Sequence, residues 1–273
     1  MESRDDRIGS VVFCAVDVET SGLYMGSRLV ELGAVRFSLA GPIDEYHTLV
    51  DPMEPIQPAA TDIHGISDDM VCGSPHPAEV VSGFGDYLGE AVFIAHNARF
   101  DVRVIGLELA RAGLEPPANH VVDTVVLARR AFPGLPNYRL GTVAAYLGID
   151  QVTCHRGLPD AVAAMEIFRR GLAGAEGSLR VEGVPGYLGP FSDLAPRMEV
   201  ELSGAAADLL MLAEKRVVVE IIYEGGSTPG LPRMITPLQV FGDGTCEYFR
   251  AYCHRSGMVK TFRLDRIIEL RLP

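Results

Sequence analysis

The sequence predicts an α/β domain, a mixed sheet flanked by helices, followed by a second domain that is a small β-barrel. Three observations carry that prediction. Three strand-like segments follow one another near the N-terminus, before any long helical pattern begins. From residue 77 onward short apolar runs alternate with helical periodicity. After residue 196 the pattern becomes one helix followed by four or five short strands.

Residues 11–18 (VVFCAVDV) are apolar and β-rich, suited to a strand buried on both faces. Residues 28–39 and 43–50 add two strands joined at Gly41-Pro42, giving an antiparallel meander. The stretch 56–71 is broken by prolines and polar residues and predicts only short helical turns. A helix is expected from Pro77 to about Leu88, a short buried strand at 91–96, and a helix over 100–112 ended by Gly113. Val121-Val122 form another short strand, leading through Asp123-Thr124 into a helix to Ala131. Residues 139–147 and 159–172 are amphipathic, the second helix opened by Pro159, whose missing N–H is harmless in a first turn.

The resulting order, β-β-β-α-β-α-β-α-α, is consistent with a ribonuclease-H-like fold. From 171 to 196 Gly, Pro and Ala dominate without sustained periodicity, the composition of a linker. Ser203 can cap a helix over 204–215. Strands are expected at 217–223, 234–241, 245–253 and 258–264, with Asp243-Gly244 as a hairpin turn between the second and third. The expected boundaries are a first domain over 8–173, a linker over 174–197 and a second domain over 198–273.

With 48% apolar and 22% charged residues among 273, the composition is that of a globular protein, neither fibrous nor disordered. The polar N-terminus MESRDDRIGS is unlike a secretory signal, and no apolar run approaches the ~20 residues that span a bilayer. Five cysteines form no metal-ligand spacing, so reduced thiols in a cytoplasm are expected, with no membrane partner. The net charge of −12 argues at first against a nucleic-acid partner. Its distribution weakens that objection: residues 198–273 carry only −1, and Arg250, Arg255, Lys260, Arg263, Arg266 and Arg271 face only Asp265 and Glu269. Carboxylates that hold divalent cations also contribute negative charge which bound metal offsets.

Four acids and a histidine stand in contexts that would bring them together. Residues two apart on a strand share a face, so Asp17 and Glu19 project side by side at the end of the first strand. Alone they read as solvated acids flanking the Ser21-Gly22 turn. Asp101 lies where a buried strand gives way to a helix, the usual place for sites in α/β sheets, although a helix-start acid is also commonplace. His155 sits in a glycine-bearing loop and Asp160 in the first helical turn after it. A loop histidine is usually only solvated, yet neutral imidazole can take a proton from water that metal coordination has acidified. Hard carboxylate oxygens are the donors that Mg²⁺ and Mn²⁺ prefer.

The run Val16-Asp17-Val18-Glu19-Thr20-Ser21-Gly22-Leu23 resembles the first motif of the DEDDh 3′–5′ exonucleases, the superfamily of the DNA polymerase III epsilon proofreading subunit. His96-Asn97-Ala98-Arg99-Phe100-Asp101 resembles the second motif, and His155 with Asp160-Ala161 the third. His64-Gly65-Ile66, Asp123-Thr124, and Tyr138-Arg139-Leu140 through Leu147-Gly148-Ile149 are similar as well, so the resemblance covers about residues 10–172. It implies two Mg²⁺ or Mn²⁺ ions on Asp17, Glu19, Asp101 and Asp160, one activating water and the other stabilising the leaving 3′ oxygen, with His155 as general base. It also implies release of nucleoside 5′-monophosphates from a 3′ end. Thr20, Leu23, His64, His96 and Asn97 correspond to positions near the terminal nucleotide.

Residues 199–272 resemble a WYL domain, a small Sm- or SH3-like barrel of bacterial regulators and repair-associated proteins. The resemblance rests on Val219-Glu220-Ile221-Ile222-Tyr223, Ile235-Thr236-Pro237-Leu238, Ala251-Tyr252-Cys253 and Phe262-Arg263-Leu264-Asp265-Arg266-Ile267. Glu247-Tyr248-Phe249 stands in place of the Trp-Tyr-Leu triplet, and the chain has no Trp. By that resemblance Arg250, His254, Arg255, Arg263 and Arg266, with Tyr248 and Tyr252 for stacking, are candidate contacts to a single strand or a nucleotide-like ligand. The plainer alternative puts Tyr inside and Arg outside in solution. The expected activity is a metal-dependent 3′–5′ exonuclease on single-stranded DNA, with a possible replication or repair partner. RNA as substrate is one alternative, and a non-catalytic end-binding regulator is another.

Overall fold

The structure is a computed structural model that describes residues 7–23, 26–149, 155–174, 179–196, 209, 211–213, 215–225, 229–242 and 246–272. The chain divides into two compact units at Ala195-Pro196. In the first, β1 (Phe13–Thr20), β2 (Leu29–Ser38) and β3 (Gly41–Leu49) form the expected antiparallel meander. Two short helices, α1 (Pro58–His64) and α2 (Asp68–Val71), precede α3 (Pro77–Leu88). Next come β4 (Val92–Ala95), α4 (Arg99–Arg111), β5 (His120–Asp123), α5 (Thr124–Ala131), α6 (Leu140–Leu147) and α7 (Gly157–Gly171). α7 opens at Gly157, so Pro159 is its third residue and not its first.

Parity along β1 and β2 explains the layers. Cys14, Val16 and Val18, with Leu32 and Ala34, pack against Val80, Phe84, Val102, Ile105 and Leu109 of α3 and α4. Phe13 and Ala15, with Val35 and Phe37, face the opposite way, against Met165 and Phe168 of α7. The ring of Phe168 lies 4.8 Å from Phe13 and 5.8 Å from Phe37, which seats α7 on both strands. Asp17 and Glu19 continue the α7-facing parity, where apolar burial stops and α7 begins. Since β1 pairs with β4 in parallel, their carboxyl ends lie at one end of the sheet.

The stretch expected to be a linker is largely part of this unit. After a 3-10 turn at Val181–Gly183, strand β6 (Tyr187–Pro190) pairs antiparallel with β5, completing the order β3-β2-β1-β4-β5-β6. A one-turn helix, α8 (Phe191–Leu194), then drives Phe191 into the core, edge-on to Phe93 at 5.4 Å. Gly189 and Pro190 hide this strand in the sequence, because Pro is tolerated only where a ladder N–H is dispensable, as at a sheet edge.

In the second unit, β7 (Val219–Tyr223), β8 (Pro232–Gly242), β9 (Glu247–Cys253) and β10 (Met258–Arg263) follow the four expected strand positions, and β11 (Ile267–Arg271) is a fifth strand for which no position was expected. Their order is β10-β9-β8-β7-β11, an open antiparallel sheet among the described residues where a closed barrel was expected. The 3-10 turn Leu264–Arg266 buries Leu264 and carries the chain across the sheet, so β11 pairs with β7 instead of folding back on β10. The helix expected over 204–215 lies mostly outside the described residues, as does the Asp243-Gly244 turn. Among the described residues no helix is long and apolar enough to cross a membrane.

Candidate active site

The site lies where β1 and β4 end and the first turns of α4 and α7 arrive from opposite faces of the sheet. Asp101 and Asp160 stand in those two first turns, where the positive end of a helix favours a carboxylate. Each is reached through a left-handed residue that aims the chain: Asn97 at φ 75° before α4 and His155 at φ 61° before α7. Asp123 steadies the first of these loops by accepting from the Asn97 amide at 3.1 Å and the Val125 amide at 2.8 Å. The Asp160 carboxylate accepts from the His155 amide at 2.9 Å.

Glu19, His155 and Asp160 converge, their ligand atoms all within 4.8 Å of one another. Asp17 joins them electrostatically. Burial first, then Asp101, Glu19 and Asp160, push its carboxyl well above the usual range. Burial likewise raises Asp101, against the amides of Asp101 and Val18 that draw it down, and it raises Asp160. Glu19 is pushed up to about 8 by burial, then by Glu31 and Asp160. Four carboxylates held this closely oppose ionisation together and fit a divalent cation, which hard oxygen donors favour.

The sign of that coupling can be tested. An unfolded glutamate is ionised above about 4.5, whereas folded Glu19 keeps its proton to about 8. The native state therefore binds more protons in this window, and metal-free stability falls as pH rises. A cation must displace that proton, so the rise in melting temperature on adding Mg²⁺ is expected to be larger at pH 8 than at pH 5.5. Equal rises at both would count against cation binding by Glu19.

Glu31, which belongs to none of the sequence motifs above, borders the site. It pairs with Glu19 across the β1–β2 ladder, is 0% exposed, and accepts two hydrogen bonds from the Arg156 guanidinium. Burial pushes its carboxyl up, but bonds from Arg156, Gly157 and His47 overcome this and hold it below its ordinary value. The only advance signal was an acid inside the apolar run Leu29–Ser38.

The expected substrate positions divide. Leu23 is 65% exposed and available to a ligand. Thr20 is buried, its hydroxyl donating to Gly22 O and shaping the turn that displays Leu23. His64 is buried beneath that turn: Nδ1 accepts from the Ile66 amide, so Nε2–H donates to Thr20 O at 3.2 Å. Both nitrogens of His96 are also engaged, with Thr124 Oγ1 and Tyr138 O. Burial lowers the pKa of both rings, keeping them neutral props. In the second unit Tyr248 and Arg250 are buried, contrary to their expected surface role. It is Phe249, Ala251 and Cys253 that β9 sends into the hydrophobic cluster, and Tyr252, on the same face as Tyr248 and Arg250, is exposed. Tyr252, His254, Arg255 and Arg266 are exposed, and Arg263 is engaged by Asp265.

Clustered carboxylates beside an exposed histidine, at the carboxyl end of a mixed sheet, define a hydrolase of the acidic, divalent-metal class. Residues 14–168 match the family model described as Exonuclease (RNase T type), and the chain belongs to that family. Residues 206–272 match the WYL domain model. The DNA polymerase III subunit epsilon of Treponema pallidum is 39% identical over 161 residues, covering 58% of this chain and 75% of that protein. The PolC-type DNA polymerase III of Clostridium perfringens is 38% identical over 169 residues, covering 62% of this chain but only 11% of that much longer protein. Escherichia coli exonuclease I in complex with a dA16 oligonucleotide shares the fold, with a TM-score of 0.55 at 17% identity over 89% of this chain and 55% of that one.

Proposed function

We propose that this exonuclease removes nucleoside 5′-monophosphates from the 3′ ends of single-stranded DNA, with Asp17, Glu19, Asp101 and Asp160 holding two Mg²⁺ or Mn²⁺ ions. The observation that carries this reading is the convergence of Glu19, Asp160 and the exposed His155 beside partly buried Asp17 and buried Asp101. Bound cations would supply Lewis-acid activation of water and neutralise charge at the phosphate. His155 takes the proton from the attacking water, held for that task by its amide bond to Asp160. Leu23 offers an apolar surface to the terminal base, propped by Thr20 and His64. DNA is favoured over RNA because the relatives above are subunits or forms of DNA polymerase III. Catalysis is favoured over mere end binding because mutually repelling acids have no structural benefit without a cation.

The C-terminal module serves in this reading to hold the strand, with exposed Tyr252 stacking on a base and Arg255 near phosphates. Matched 5′-labelled DNA and RNA strands test the whole reading. With Mg²⁺ or Mn²⁺ the DNA shortens stepwise, EDTA stops it, and RNA shortens more slowly. Tyr252→Ala with Arg255→Ala raises KM and leaves kcat unchanged. Cleavage from the 5′ end, or cleavage that survives EDTA, would refute the assignment.

A further inference from the structure

The Glu31 carboxylate is saturated with donors. Its Oε1 accepts from Arg156 Nη2 at 2.7 Å and Nε at 3.0 Å, and lies 2.8 Å from His47 Nε2. Its Oε2 accepts from the Gly157 amide at 2.8 Å and from Arg156 Nε at 3.1 Å. Four N–H donors, with Arg156 Nε–H shared between both oxygens, occupy the roughly four lone-pair sites of this carboxylate, so it is not a fifth ligand, although Glu19 is its direct neighbour across the ladder.

What it grips is the chain on the far side of His155. Arg156 is the next residue and Gly157 opens α7, so both bonds fall within two residues of the imidazole. His155 itself is exposed and left-handed, and its amide donates to Asp160 at 2.9 Å. One carboxylate on rigid β2 therefore ties down the loop that presents it. A bidentate guanidinium–carboxylate pair fixes direction as well as distance.

We propose that Glu31 is a positioning residue which, through Arg156 and the Gly157 amide, sets the place of His155 and so the rate of the chemical step, a role that rests on the exonuclease reading above. Groups that orient a catalytic shell typically change activity by about 10- to 100-fold when removed. Glu31→Gln and Arg156→Gln in the full chain therefore lower kcat by that factor on a 5′-labelled single strand, with KM within about twofold of the parent. Arg156→Lys recovers part of the loss, since charge returns without the paired geometry.

His47→Gln is the discriminating control. It disturbs the same carboxylate from β3, whereas Arg156 and Gly157 carry the bonds beside His155, so it lowers the melting temperature and leaves kcat within about twofold. Exchange of the Gly157 amide, measured on the same samples, is slow in the parent and in His47→Gln and fast in Arg156→Gln. If Glu31→Gln does not fold, the two Arg156 variants and the amide exchange decide alone. Arg156→Gln with kcat within threefold of an active parent overturns the proposal, and so does His47→Gln losing as much kcat as Arg156→Gln. A parent without any nuclease activity overturns the reading of the site itself, which separates the two failures.

Discussion

Asp17→Asn is expected to lower kcat on the order of 10³-fold or more while raising the melting temperature of the metal-free protein. Both effects have one cause. Asp17 is partly buried near Asp101, Glu19 and Asp160, and its ionisation is opposed by loss of solvent and by each of them. Replacing it with an isosteric neutral amide removes a charge that the fold resists when no cation is bound, worth roughly 0.5–2 kcal/mol of stability. The same change removes an anionic donor from the set proposed to hold the cations. Added Mg²⁺ should therefore reverse the ranking, stabilising the parent by mass action and the variant far less. Melting in EDTA and in millimolar Mg²⁺, with turnover on a labelled strand, reads all three quantities. A variant that melts lower than the parent in EDTA, or keeps a tenth of its activity, would show that Asp17 does not sit in a cation cage.

Gly33→Ala is the second large effect, and it acts from outside the chemistry. Gly33 pairs with Asp17 in the β1–β2 ladder and faces α7. A Cβ there would lie 2.1 Å from Gly157 C and Leu158 N, which are backbone atoms that no rotamer change can move. The start of α7 must lift off the sheet, taking Asp160 and His155 with it. Displacement of about 1 Å in such a site lowers turnover by about 10²-fold, and overpacking of this kind costs about 3 kcal/mol. Gly85→Ala provides the contrast, since its Cβ meets nothing within 4 Å on helix α3 and a better helix former replaces glycine. Urea melts and kcat for both variants test this. A Gly33→Ala protein as stable and as fast as the parent would mean that the close approach of α7 to β2 is not required.

The acids and histidine of the candidate site were legible as a set. A strand end for Asp17 and Glu19, helix starts for Asp101 and Asp160 and a loop for His155 are each commonplace alone, but their order along the chain resembles the three exonuclease motifs. Glu31 was not legible. In sequence it is one acid in a strand, and its meaning depends on which residue faces it across the ladder and which loop lands on top. His64 and His96 were legible as members of motifs but not in their roles, since their bonds to Thr20 O and Tyr138 O come from segments more than 40 residues away. The Gly-, Pro- and Ala-rich stretch failed for a similar reason. Tyr187–Pro190 becomes a strand only because β5 offers it an edge.

The sequence by itself determined the alternation of strands and helices and marked four acids and an imidazole as the candidate site. Local backbone preference and side-chain periodicity act within a few residues of each position, so these features need no distant partner. Tertiary structure alone decided the strand order, the open form of the second sheet, the burial of Tyr248 and Arg250, and the Glu31–Arg156 contact. Those depend on register and on what packs against each face, which are set by residues far apart in the chain and by the space left between them.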